Sequence, residues 1–236
     1  MPTETAPLTR SVARGLLGDR LTRHGRGPLL LFSALLLGIA VGSCLGPVWL
    51  KGVAGLSVAL WLFVLCFFRN PRRSVPAGED RVVAAADGKI ISVTPVAEEE
   101  FIGGPATRIC IFLSVLNVHV NRAPIAGTVE YLEYRCGTFH NALKAESRET
   151  NECQLIGLRS AQGTPVLVRQ IAGLIARRIV CPLRVGELLE KGFDFGMIRF
   201  GSQTEVSVPD RDGRPFQPRV KPGDRVKGGE TILGEW

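Results

Sequence analysis

Two uncharged apolar runs dominate the first third of the chain: LLLFSALLLGIAVGSCLGPVWL from Leu29 to Leu50 and, after Lys51, GVAGLSVALWLFVLCFF from Gly52 to Phe68. A bilayer-crossing helix needs about 20 apolar residues. The pattern therefore predicts a transmembrane hairpin of two helices with a tight connection near Pro47–Lys51. Beyond Phe68 the pattern changes. RNPRRSVPAGED (69–80) is rich in Pro, Arg and Gly and reads as a linker, and short β-branched runs separated by turn residues follow it. RVVAAADGKIISVTPV predicts two strands about an Asp87–Gly88 turn. ATRICIFLSVLNVHV (106–120) reads as one buried strand, and GTVEYLEYR alternates cleanly. TPVLVRQIAG and RRIVCPLRVG continue the theme, MIRFGSQTEVSVP predicts strand on either side of Gly201–Ser202, and the tail VKPGDRVKGGETILGEW alternates across two glycine turns. Only Val185–Lys191 carries a helical pattern here. The resulting organisation is a basic leader (1–28), a membrane hairpin (29–68), a linker (69–80) and a mostly β (α+β) domain (81–236).

Charge sharpens this division. The formal net charge of the 236 residues is +7, and residues 1–73 hold nine basic side chains against two acidic ones, while residues 74–236 balance at 20 of each. A neutral folded domain argues against a basic nucleic-acid surface. Arginines flank the hairpin on both sides, from Arg10 to Arg26 before it and at Arg69, Arg72 and Arg73 after it. The positive-inside rule then puts the N-terminus and the large domain on the cytoplasmic side of the cell membrane. The first apolar run does not read as a cleavable signal, because it lies behind a long arginine-rich leader and a second run follows almost at once. The six cysteines form no CxxC pair and there are three histidines, so no metal-ligand spacing is present and reduced thiols are expected.

No glycine-rich phosphate loop, GxSxG or HExxH occurs. The remaining candidates are the small pair Gly201–Ser202 inside a strand pattern, His119 on an apolar run, Asp87 at a turn, and His140 after Gly-Thr-Phe. Each has an ordinary explanation by itself: a bulge, a core histidine, turn chemistry. The Asp87–Gly88 segment and the tail each resemble half of the barrel-sandwich unit of biotinyl and lipoyl carrier domains. Their tips read Ala-Asp-Gly-Lys and Pro-Gly-Asp, without the carrier lysine triplet, so the likeness is one of shape.

Taken together and in order, FFRNPRR (67–73), ADGKI (86–90), HVNRAP (119–124), GTFHNA (137–142), SRETNE (147–152), RQIAGLIARRI (169–179) and GMIRFGSQTEV (196–206) resemble the phosphatidylserine decarboxylase family in its short form, over about 67–236. The resemblance implies a proenzyme. Ser202 attacks the Gly201 carbonyl, the resulting ester eliminates, and hydrolysis with loss of ammonia leaves a pyruvoyl group at residue 202. A large chain (1–201) and a small chain (202–236) result. The family's Asp-His-Ser set maps to Asp87 orienting His119, which acts on Ser202. The pyruvoyl ketone then forms a Schiff base with phosphatidylserine and accepts the electron pair as carbon dioxide leaves, giving phosphatidylethanolamine.

Departures from the family are Gln203 where threonine is usual after the serine, and Arg122 where larger members carry a second histidine. Arg122, or the pair Arg177 and Arg178, is a candidate for the headgroup phosphate or carboxylate, with His140 a lower-ranked second imidazole. Arg69, Arg72 and Arg73 are expected at lipid-headgroup level, each attracting an anionic surface by about 1 kcal/mol. Partners are then the lipid bilayer and the phosphatidylserine substrate, with a homo-oligomer left open. Two other classes compete: a membrane-tethered barrel-sandwich module without activity, which predicts an intact chain, and a pyruvoyl decarboxylase for a soluble amino acid, against which the apolar spans argue.

Overall fold

The computed structural model describes residues 9–10, 26–45, 47–140, 147–173, 179–198 and 202–236. They fall into two compact units, Arg14–Arg72 and, separately, Arg73–Trp236 together with Met1–Ala13.

The first unit is helical. Helix α1 runs Arg26–Leu45 and α2 runs Trp49–Phe67. Pro47 disfavours helix in the residue before it, and this separates them. The helices pack together, and Trp61 Nε1 donates to Ser33 Oγ across the pair at 2.9 Å. Both expose leucines and valines, among them Leu31, Leu37, Leu56 and Leu62. Two spans are expected from the sequence. Among the described residues, however, one helix, α2, is long and apolar enough to cross a membrane, whereas the apolar part of α1 is confined to Leu30–Ser43.

The second unit is mostly β. Its strands are β1 (Thr9–Arg10), β2 (Arg81–Val83), β3 (Gly88–Glu98), β4 (Gly104–Leu113), β5 (Val120–Arg122), β6 (Gly127–Arg135), β7 (Cys153–Arg159), β8 (Pro165–Ile171), β9 (Ile179–Val180), β10 (Leu188–Leu189), β11 (Asp194–Ile198), β12 (Ser202–Pro209), β13 (Gln217–Pro218), β14 (Arg225–Val226) and β15 (Ile232–Glu235), with a short helix α3 at Ser147–Thr150. A nine-stranded, curled sheet has the order β1-β10-β6-β7-β8-β12-β4-β3-β14, and two three-stranded sheets have the orders β5-β11-β9 and β13-β15-β2. The core lies inside the curl, with Ile90, Ile109, Ile111, Leu113, Ile156, Leu158, Val168, Val206 and Val208 fully buried. Each such side chain contributes about 1.5–3 kcal/mol.

Several local expectations are corrected. Val185–Lys191 is not helical; it holds a turn and β10. The run 106–120 is not one strand. Ser114 to Asn117 forms a turn, in which Asn117 Oδ1 accepts from Ser114 N at 2.9 Å and Ser114 Oγ at 2.7 Å, and β5 begins afterwards. Asp87–Gly88 does not close a hairpin either: β2 pairs with β15, and β3 with β4 and β14. Gly88 is required for another reason, since a Cβ there would lie 2.2 Å from the Phe112 carbonyl oxygen. The Asp87 segment and the tail, each expected as half of one unit, do join strand to strand through β3–β14 and β2–β15.

Candidate active site

Strand β12 occupies the middle of the large sheet, between β4 and β8, and all eight of its residues are buried. Its polar residues must therefore find partners inside the protein. Ser202 stands opposite Leu113, and the next row runs Lys89–Phe112–Gln203–Ile171 across four strands. Gly88 precedes Lys89, so two strand spacings, about 10 Å, separate it from Ser202. Asp87 thus belongs to the same end of the sheet as Ser202. The Ser202 side chain is fully buried and its Oγ has no hydrogen-bond partner among the described residues. Gly201 lies outside the described residues, as do Arg177 and Arg178.

His119 arrives from the other side. It sits just before β5, fully buried, and its carbonyl accepts from Ile198 N at 3.3 Å. Ile198 ends β11, four positions before Ser202 in the chain. The ring Nδ1 lies 2.9 Å from the Asn117 carbonyl oxygen. A carbonyl only accepts, so Nδ1 carries the proton and, in the neutral ring, Nε2 carries the lone pair. The backbone of the Ser114–Asn117 turn thereby fixes the tautomer that a base requires.

Asp87, expected to orient His119, has its described bonds elsewhere. Its carboxylate accepts from Arg73 Nη2 at 2.9 and 2.8 Å and from Gly228 N at 2.8 Å. Arg73, expected among lipid headgroups, is a buried partner of this carboxylate, with its side chain only 6% exposed. Of the other candidates, Arg122 is buried and donates to the Gly192 carbonyl at 2.9 Å; burial lowers its pKa while Asp194 opposes that. His140 is exposed, and its backbone N–H and carbonyl are both bonded to the Asn151 side chain. Neither reaches the Ser202 row through a described bond.

Asn121 is a residue that motif reasoning did not single out. It is fully buried; its Nδ2 donates to Thr204 Oγ1 at 2.9 Å and lies 3.4 Å from the Ala85 carbonyl, and its Oδ1 accepts from Gln170 Nε2 at 2.8 Å. One side chain thus ties β5, which carries His119 into place, to β12, to β8 and to the segment leading into Asp87. Its only sequence signal is its place inside HVNRAP. A buried amide with three satisfied contacts is worth roughly 1 kcal/mol per bond, and more as a register device.

The structure thus places a buried hydroxyl at the start of β12 and a buried imidazole beside β11, whose last residue lies four positions before Ser202. These are the residue types that activation of a serine needs. The phosphatidylserine decarboxylase family model matches residues 60–234. Proteins named phosphatidylserine decarboxylase proenzyme match along much of the chain. The one from Carboxydothermus hydrogenoformans is 47% identical over 175 residues (74% of this chain, 80% of that protein). That from Symbiobacterium thermophilum is 44% identical over 204 residues (86% and 89%), and that from Chlorobium luteolum 40% over 218 (92% and 100%). The chain is accordingly a decarboxylase enzyme and belongs to the phosphatidylserine decarboxylase family.

Proposed function

We propose that this chain is a membrane-anchored phosphatidylserine decarboxylase that cleaves itself between Gly201 and Ser202. The observation that carries the reading is the fully buried Ser202 Oγ, at the first position of β12, without a hydrogen-bond partner among the described residues. Leaving a buried hydroxyl unsatisfied costs about 1–3 kcal/mol, and such atoms call for a functional explanation. His119 supplies one. With Nδ1–H donated to Asn117, the lone pair of the neutral ring is on Nε2, the atom assigned here to take the Ser202 proton as Oγ attacks the Gly201 carbonyl. The adduct collapses as the Gly201 C–N bond breaks, which leaves an ester and a free amine on residue 202. Loss of the Cα proton of residue 202 then breaks the Oγ–Cβ bond and frees the 1–201 carboxylate, and water hydrolyses the resulting enamine, through its imine, to the ketone with release of ammonia.

Position 202 fits the pyruvoyl group this would create, because Cβ becomes a methyl once Oγ leaves with the Gly201 carboxylate, and the enclosed side chain makes no hydrogen bond among the described residues that would be lost. A pyruvoyl ketone supplies an acceptor for a substrate amine and for the electron pair released with carbon dioxide. His119 moves protons beside it, and Asn121 keeps β5 and β12 in register. Asp87, clamped by Arg73 and Gly228, places fixed negative charge at the same end of the sheet. Phosphatidylserine as substrate is supported by the relatives' names and by the anchor. Helix α2, with exposed leucines, suits a bilayer, and Arg69 at its end donates to the Cys66 carbonyl at 2.6 Å, where a cation favours the helix C-terminus. Arginine on both flanks supports a cytoplasmic catalytic domain.

Intact mass under denaturing conditions tests the reading. The expected result is a 35-residue fragment, 202–236, lighter by one ammonia than simple hydrolysis gives, and none from Ser202→Ala. A stable uncut wild-type chain, or a processed Ser202→Ala chain, removes the mechanism.

A further inference from the structure

We infer that the face of β12 opposite Ser202 carries an anion site for a phosphate group, built from Arg108, Arg148 and Arg169 around Glu205. Along β12, Val206 and Val208 enter the core, so the alternate residues Gln203, Glu205 and Ser207 face the other side of the sheet. The register places Arg169 opposite Glu205 and Arg108 opposite Ser207, on that same face. Arg148 of α3 completes the group, with Nε 2.5 Å from Glu205 Oε1, and Arg108 Nε lies 3.7 Å from Oε2.

Two guanidiniums thus face one carboxylate, a third arginine, Arg169, stands opposite it in the register, and that carboxylate is largely used. Glu205 is 2% exposed, and its Oε1 also accepts from Gln203 Nε2 at 2.7 Å. Arg169 is left with the Cys153 sulfur at 3.5 Å, a weak acceptor, and its Nε is buried without a partner. Arg108 Nε is likewise buried and makes no hydrogen bond among the described residues. The side chains of Arg108 and Arg148 remain 19% and 28% exposed, so an anion can reach them from solvent. Among the described residues the cations exceed their counter-charge, which is costly for partly desolvated groups without an anion, and the planar donor fork of arginine matches a tetrahedral oxyanion. The nearby Cys110 thiol does not supply that charge. Burial and then Glu205 push it up to about 11, so it stays neutral near pH 7. The site is independent of the Ser202 chemistry, and its ligand is either free phosphate or a lipid phosphodiester.

The experiment uses the full chain in dodecyl maltoside micelles at low ionic strength, as wild type, Arg169→Met and Arg108→Met. Inorganic phosphate is titrated calorimetrically, and phosphatidylglycerol is then titrated in mixed micelles. Wild type is expected to bind saturably at one site, and each variant roughly tenfold to hundredfold more weakly, the worth of one charge-assisted bond. Saturation by inorganic phosphate alone identifies free phosphate as the ligand; saturation by phosphatidylglycerol identifies the lipid diester. Each variant removes an unmatched charge, so both should melt no lower than wild type. No saturable binding of either probe by wild type, binding unchanged in both variants, or lost binding that accompanies a lowered melting temperature would overturn the site.

Discussion

Arg73→Met tests how the acidic member of the site is fixed. In the folded chain Arg73 Nη2 bonds both oxygens of Asp87, at 2.9 and 2.8 Å, and the two side chains are 6% and 14% exposed. Methionine fills much of the volume but leaves the carboxylate with the Gly228 N–H alone. Breaking a buried pair from one side costs about 3–5 kcal/mol. The remaining backbone bond and the slight solvent contact of Asp87 put this case at the lower end, about 3 kcal/mol. For a unit of this size each kcal/mol moves the melting temperature by about 2–4 °C, so a fall of about 6–12 °C is expected. The melt is best measured in a Ser202→Ala background, where chain cleavage does not vary. Adding Asp87→Asn to Arg73→Met should recover most of the loss, because the more buried unpaired charge is gone, while Glu230, 3.7 Å from Arg73 in the parent, is 27% exposed and keeps Lys227. A single variant melting within about 1 °C of its parent, or a double variant whose losses simply add, would refute the coupling and with it the structural assignment of Arg73.

Three further outcomes follow from named contacts. Gly88→Ala puts a Cβ 2.2 Å from the Phe112 carbonyl oxygen and 2.8 Å from Ile111 Cγ2; it should cost about 1–3 kcal/mol or more and slow release of the 202–236 fragment, whereas Gly104→Ala, where a Cβ meets nothing within 4 Å, should be close to neutral in both. His119→Asn should slow maturation by about 10²–10⁴-fold, read as fragment released over time, and a normal rate would move the base elsewhere. Cys110 has a folded pKa of about 11 against an ordinary 9.0, raised by burial and by Glu205, so its contribution is present below pH 9 and is lost as pH rises toward 11. Wild type should therefore lose about 2–3 kcal/mol more than Cys110→Ser across that interval in denaturant melts, and parallel curves would count against the shift.

Periodicity alone located the elements whose environment is simple. The second apolar run became α2, and the alternation of Gly127–Arg135 became β6, which sends Val129 and Leu132 to the main core and Tyr131 to a smaller apolar cluster. Motif order in the chain pointed to Ser202, His119 and Asp87, since residue types in sequence survive without knowledge of packing. The same reasoning failed where the partner is remote. Asp87–Gly88 looks like a hairpin turn locally, yet β2 and β3 separate because β15 and β14, about 140 residues away, offer them better edges. Gly88 is glycine for a carbonyl on β4, not for its own backbone angles. Strand β12 alternates in a way that would put Gln203, Glu205 and Ser207 in water, but its central place in the sheet buries all three. Asn121 and Arg73 stand inside HVNRAP and FFRNPRR and Asn117 in neither, yet each acquires its role from a partner chosen by the fold: a threonine across sheets, a carboxylate, a histidine ring. Sequence determined which residue types are present to be candidates for the chemistry and which segment is apolar enough to enter a membrane, because those are properties of residues and short runs. Only the tertiary structure decided which ring nitrogen of His119 faces a carbonyl, what Asp87 is bonded to and which arginines gather at Glu205, because hydrogen-bond direction and ion pairing exist only between groups that folding brings together.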